Sequence, residues 1–224
     1  MSEFAGMPAV IQALIATCFT WFVTALGALP ALFLRTISKK MLNIMLGFSA
    51  GVMVAASFFS LLQPAIELSE EMEGIPWLAA SGGFLLGGLF LKLSDTMLKR
   101  IKRTARLSTG ARRTMLLVLS VTVHNLPEGL AIGVAFGAFA QGVPGATLVG
   151  AMMLAMGIGI QNFPEGTAVA MPLLQGGMSR GRAFFLGQLS GAVEPAAGVA
   201  GALLISIIRP ILPFVLAFAA GAMI

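Results

Sequence analysis

The chain has little of what most soluble proteins are built with. A single cysteine, Cys18, excludes an internal disulfide framework and a cysteine-based zinc site. It lies in an apolar run, where a small core residue is expected. Charged residues are only 10% of the 224 positions, against about 25% in an ordinary soluble domain. A water-soluble globule, a disordered chain and a nucleic-acid-binding domain are therefore excluded as classes, and no nucleic acid is expected as a partner. There is one histidine, and it lies outside the basic stretch 99–113, so that stretch is not expected to be a metal-buffering tail.

What is present is apolar. Residues of the AVILMFWYC set make up 58% of the chain, with 27 glycines and 11 prolines besides. A bilayer core of about 30 Å takes roughly 20 mostly apolar residues per helix. Six such stretches run near 8–34, 41–66, 75–98, 114–139, 144–174 and 183–208. A seventh begins near 211 and reaches the last residue, Ile224, after 14 residues, or about 21 Å of helix. The expected fold is an all-α integral membrane protein: a polytopic bundle of six full spans and a truncated seventh, in one transmembrane domain over 1–224. The first stretch has no basic segment before it and no small-residue cleavage site, so it reads as a true span.

The charges give the orientation. Arg35, Lys39 and Lys40 lie between spans 1 and 2. Seven basic residues lie in the stretch 99–113 between spans 3 and 4, and Arg180 and Arg182 lie between spans 5 and 6. Twelve of the fourteen basic residues are thus on one side, whereas the loop after span 2 holds Glu67, Glu70, Glu71 and Glu73 and no Lys or Arg. The positive-inside rule puts the basic connections in the cytoplasm and the N-terminus outside, in a multi-pass cell-membrane protein. The stretch 99–113 is expected as a basic cytoplasmic loop, facing the lipid surface of the bilayer.

Three carboxylates fall inside apolar spans: Glu128, Glu165 and Glu194. A bare carboxylate there costs several kcal/mol. No Lys or Arg is at their depth, so another cation or a proton must balance them. Asp95, near the inner end of span 3, is different. It is three residues after Lys92, a spacing that permits a helix-face ion pair.

Two of the buried acids sit in matching hexapeptides, His124-Asn-Leu-Pro-Glu-Gly129 and Gln161-Asn-Phe-Pro-Glu-Gly166, 37 positions apart. On a helix, positions i and i+4 share a face, so His124 points with Glu128 and Gln161 with Glu165. Asn125 and Asn162 lie one step round. Pro127 and Pro164 cannot donate a backbone hydrogen bond, which predicts kinks and freed carbonyls at mid-depth. Span 6 adds Glu194-Pro195. Carboxylates, one imidazole and amide oxygens form a mixed N/O set suited to Zn²⁺ and other first-row divalent ions.

These motifs resemble the ZIP family of divalent-metal transporters, particularly its bacterial GufA-like branch. The resemblance runs from span 1 to span 7. It implies an eight-helix fold with an external N-terminus, so the chain is expected to lack the end of helix 7 and helix 8. It implies a binuclear site in which His124, Glu128, Gln161 and Glu165 hold the first metal. Asn125, Asn162 and Glu194 would hold the second, with Glu128 and Glu165 bridging. It also implies that Met53 approaches the first metal and that Glu67 sits at the outer entrance. Met53, Ser60 and Glu67 are spaced by seven and would share one helix face. The family picture is an elevator-like shift of helices 1, 4, 5 and 6 against 2, 3, 7 and 8.

Several relatives have Asp where this chain has Asn162. Three carboxylates cannot balance two divalent ions, so the first site is expected to be tighter and the second weak or regulatory. Zinc is the expected substrate, with Cd²⁺, Fe²⁺, Mn²⁺ or Co²⁺ open. A homodimer is also open. Two other classes fit part of the pattern, an intramembrane metalloenzyme and a proton-coupled carrier of another solute. The first is weakened by the lack of an H-E-x-x-H helix. On balance the chain is expected to be a transporter, not an enzyme.

Overall fold

The computed structural model describes residues 2–104 and 109–224. They form helices only, with no strand among the described residues. In chain order these are α1 (Ser2–Ala5), α2 (Ala9–Ala28), α3 (Pro30–Phe33), α4 (Lys39–Ala56), α5 (Gln63–Glu71), α6 (Pro76–Thr104), α7 (Thr109–Ala140), α8 (Leu148–Gln175), α9 (Arg180–Leu189), α10 (Val193–Ile208) and α11 (Leu212–Met223). Spans 1 to 7 correspond to α2, α4–α5, α6, α7, α8, α9–α10 and α11. The basic stretch 99–113 is helical through Thr104 and again from Thr109, and 105–108 lie outside the described residues.

Five stretches among the described residues are long and apolar enough to cross a membrane, and the last, Arg180–Met223, contains α9 to α11. Helix α8 is not among them, because Gln161, Asn162 and Glu165 lower its hydropathy. The polar cluster is thus visible as a cost to the helix that carries it. Two of the long helices start at a side-chain cap. Ser38 caps α4 by accepting from Met41 N–H at 3.1 Å, and Thr147 caps α8 by accepting from Gly150 N–H at 3.0 Å.

Glycine sets the packing. In hydrocarbon no hydrophobic force draws helices together, so close backbone approach through small residues does the work. A Cβ on Gly133 of α7 would lie 2.0 Å from the Gly198 carbonyl oxygen of α10. One on Gly27 of α2 would lie 2.0 Å from the Phe163 oxygen of α8, and one on Gly87 of α6 would lie 2.1 Å from the Phe218 oxygen of α11. Gly83 and Gly137 are also close, with a Cβ on the first 2.5 Å from the Phe214 oxygen of α11 and one on the second 3.0 Å from Ile205 of α10. The same contacts sort the helices. Helices α2 and α8 are locked backbone to backbone, as are α7 and α10 and α6 and α11, and Gly198 of α10 packs against the Thr17 side chain of α2.

The structure corrects three expectations. Cys18 is exposed rather than buried, because the outside of this bundle is lipid and an apolar run has no single inward face. Asp95 pairs with Lys99, one turn further along α6, rather than with Lys92. Pro127 and Pro164 lie inside the continuous helices α7 and α8. Span 6 is the one that breaks, at Ser190–Ala192, between α9 and α10.

Candidate metal centre

The break in span 6 follows from Pro195. Without an N–H, Pro195 cannot bond the Gly191 carbonyl four residues back. Glu194 N–H takes that carbonyl instead, at 3.0 Å, in a tighter i+3 turn. The Ser190 carbonyl loses its usual helical donor by this shift. Asn125 of α7 supplies the replacement, with Nδ2 donating to it at 3.2 Å. Glu194 is left in the first turn of α10, where the helix dipole favours a negative charge. Gly191 is needed for this geometry, since a Cβ there would lie 2.8 Å from Thr24 Oγ1 and 3.1 Å from Glu194 Oε1.

Glu194 is fully buried and well supplied with donors. Asn125 Nδ2 donates to Oε1 at 3.1 Å. Asn162 Nδ2 of α8 straddles both carboxylate oxygens, at 2.9 and 3.1 Å. Thr20 of α2 donates its hydroxyl to Oε2. Three helices thus hold the carboxylate of a fourth.

Glu128 is held differently. It is 1% exposed, and Gln161 is its hydrogen-bond partner, with Nε2 donating to Oε1. Its other oxygen, Oε2, is buried with no partner. The same is true of Glu165 Oε2, Gln161 Oε1, Asn125 Oδ1 and Asn162 Oδ1. Only Gln12 Oε1 and Ser57 Oγ share that condition elsewhere among the described residues. Native structures rarely leave buried acceptors without a partner, and five of them here belong to the two hexapeptides. All are oxygens that need a positive partner. His124, on the same α7 face, is half-buried.

Adjacent residues of α8 reach in two directions, Gln161 to Glu128 on α7 and Asn162 to Glu194 on α10. That is how the duplicated motif becomes one polar centre. Among the described residues no three His, Cys, Asp or Glu side chains converge as a ready metal cage. The free oxygens are a mixture of carboxylate and amide, as the sequence suggested.

The span 2 residues divide. A six-residue π-helical turn, Ser57–Leu62, joins α4 to α5. A π turn closes i→i+5 bonds and takes more residues per turn than an α turn. The seven-residue line through Met53, Ser60 and Glu67 is therefore interrupted, which corrects the expectation of one shared face. Ser60 and Glu67 do line one cavity of about 200 Å³, together with Glu71, Pro144 and Leu154. Met53 is outside that cavity and packs against an apolar cluster that includes Leu154 and Ile158. Glu67 accepts from Gln63 Nε2 at 2.9 Å on the exposed surface.

A sequence model of the ZIP zinc transporter family matches residues 9–111 and 100–224. The chain belongs to this family. Zinc transporter ZIP11 of Homo sapiens is 38% identical to it, over 98% of this chain and 88% of the relative. ZIP11 of Xenopus tropicalis is 37% identical over the same shares. Zinc transporter GufA of Myxococcus xanthus is 39% identical, over 94% of this chain and 83% of the relative. These relatives are transporters rather than enzymes.

Within this ZIP chain the structure adds residues that sequence reasoning passed over. Thr17, Thr20 and Thr24 of α2 are fully buried, and Thr20 reaches the Glu194 carboxylate. Their spacing of three and four on an otherwise apolar span is the signal that could have marked them. Ser49 of α4 donates to the Gln161 backbone oxygen at 3.1 Å, tying span 2 to the centre. One serine among the three of span 2 carried no such signal.

Proposed function

We propose that this ZIP protein carries divalent metal ions, zinc first, across the cell membrane into the cytoplasm, through one primary site formed by His124, Glu128, Gln161 and Glu165. The N-terminus faces outside, and ions arrive past Glu67 and Ser60. The observation that carries the reading is the set of five partnerless buried oxygens on the duplicated hexapeptides. An ion shed of water can take the place of the missing donors.

Charge favours one tightly held ion. Glu128 and Glu165 together balance one divalent cation. Glu194 has its own neutral donors and a helix N-terminus, and so has less need of a second. Carboxylate and amide oxygens also release an ion more readily than a closed thiolate cage. The glycine contacts support a movement in which α2, α7, α8 and α9–α10 shift as a unit against α4–α5, α6 and α11.

The test is uptake of radiolabelled Zn²⁺ into liposomes carrying the protein or its Glu165→Ala variant. Saturable uptake by the protein and background uptake by the variant is the expected result. Folded protein that moves none of Zn²⁺, Cd²⁺, Fe²⁺, Mn²⁺ or Co²⁺ overturns the reading.

A further inference from the structure

The donor set around Glu194 reaches beyond the duplicated motif, to a residue in the first span. Thr20 is fully buried on α2. Its Oγ1 lies within reach of two acceptors, the Thr17 carbonyl at 3.0 Å and Glu194 Oε2. A hydroxyl has one hydrogen, and a carboxylate is the stronger acceptor. The bond therefore goes to Glu194. The Thr20 carbonyl oxygen in turn accepts from Asn162 Nδ2 at 3.3 Å. One residue of α2 thus engages α10 through its side chain and α8 through its backbone.

The consequence falls on the two asparagines. Both turn Nδ2 toward Glu194, at 3.1 Å for Asn125 and 2.9 Å for Asn162. A flipped amide would set oxygen against oxygen, so the carboxylate dictates how each amide points. The two Oδ1 atoms are then left buried with no partner. Whatever fixes Glu194 also fixes where those acceptors lie.

We propose that Thr20 is a positioning residue of the metal centre. Its hydroxyl anchors Glu194, and Glu194 aims the carbonyl oxygens of Asn125 and Asn162. Thr20 touches no ion in this scheme. Span 1 thereby helps set ion affinity as well as packing. The inference rests on the metal reading above and concerns a residue outside both hexapeptides.

The experiment compares Zn²⁺ uptake by the protein and its Thr20→Val and Thr20→Ser variants in liposomes, with Glu165→Ala as a control. Valine keeps the shape and removes the donor, whereas serine keeps the donor. Equal amounts of monodisperse protein with matched thermal midpoints are used. Thr20→Val is expected to raise KM about five- to tenfold with maximal rate within about twofold, because one charge-assisted bond is lost. Thr20→Ser is expected to return KM to within about twofold. Loss of all uptake in the valine variant with recovery in the serine variant supports the inference equally. An unchanged KM in Thr20→Val overturns it. So does a serine variant as impaired as the valine one, because Thr20 would then act through its methyl group. If Glu165→Ala transports normally, the metal reading itself fails, a result distinct from either of those.

Discussion

Two buried carboxylates of one polar centre are treated in opposite ways. Glu194 meets three side-chain donors and the start of a helix. Glu128 meets one donor and keeps a buried oxygen with none. Burial is nearly equal, at 0% and 1% exposed, so solvent does not distinguish them. The difference lies in what the surrounding helices offer. On the function proposed above, the carboxylate that is fully supplied with donors is a structural acid, and the neighbour left short of them is the one that takes the cation.

The sharpest way to break this comparison is to remove each charge in turn. Stripping one partner from a buried ion pair costs about 3–5 kcal/mol, or roughly two to four decades at about 1.4 kcal/mol per decade. Glu128→Gln is therefore expected to lower the kcat/KM of Zn²⁺ uptake by about a hundredfold or more. Glu194→Gln keeps the shape and some of the acceptors. It loses hydrogen bonds to a charged group, about 1.5–3 kcal/mol, and so about ten- to a hundredfold. Initial uptake rates over a zinc series would measure both. Equal losses in the two variants would show that the environments differ without consequence.

The two hexapeptides were legible because their message is chemical. Acid, amide and proline at fixed spacing inside an apolar run are costly, and the cost calls for a cation or a proton. The ends of the spans were legible for a similar reason, since charge and hydropathy mark where the bilayer stops. The facing of residues within a span was not. Lipid is as apolar as a helix interface, so Cys18 on the outside and the alanines on the inside of α2 read alike. Thr20 stood out only once its partner on α10 was known. The π turn at Ser57–Leu62 has no sequence marker, and a heptad rule that assumes regular α-helix passed through it. The break in span 6 was half legible. Pro195 was visible, but the outcome depended on Asn125 receiving the Ser190 carbonyl. Pro127 and Pro164 have the same chemistry and leave their helices unbroken.

A smaller effect would sharpen the comparison from the other side. Asn162 donates to both oxygens of Glu194. Asn162→Asp would replace that donor with a second carboxylate and recreate near Glu194 the shortage that Glu128 already has. A cation is then the remaining way to balance the pair. Bound zinc per protein, measured by elemental analysis after equilibrium dialysis, is expected to rise from about one toward two. A ratio that stays at one would mean that Glu194's surroundings cannot accept an ion even when a charge is added.

The smallest effect is expected at the proposed entrance, where the comparison extends to a carboxylate in water. Glu67 is exposed, lines the cavity with Ser60 and Glu71, and is bonded by Gln63. Water already satisfies it, so it holds no ion against competition. Its influence is on the local concentration of cations, and such fields are screened by salt over about 8–10 Å at physiological ionic strength. Glu67→Gln should therefore raise KM by about two- to threefold at low salt and leave the maximal rate unchanged. In about 0.5 M salt the variant and the parent protein should converge, because the screening length is then shorter still. Uptake measured at the two ionic strengths decides the matter. A loss that persists at high salt would mean that Glu67 binds the passing ion directly, and the exposed acid would then belong with Glu128 rather than stand apart from it.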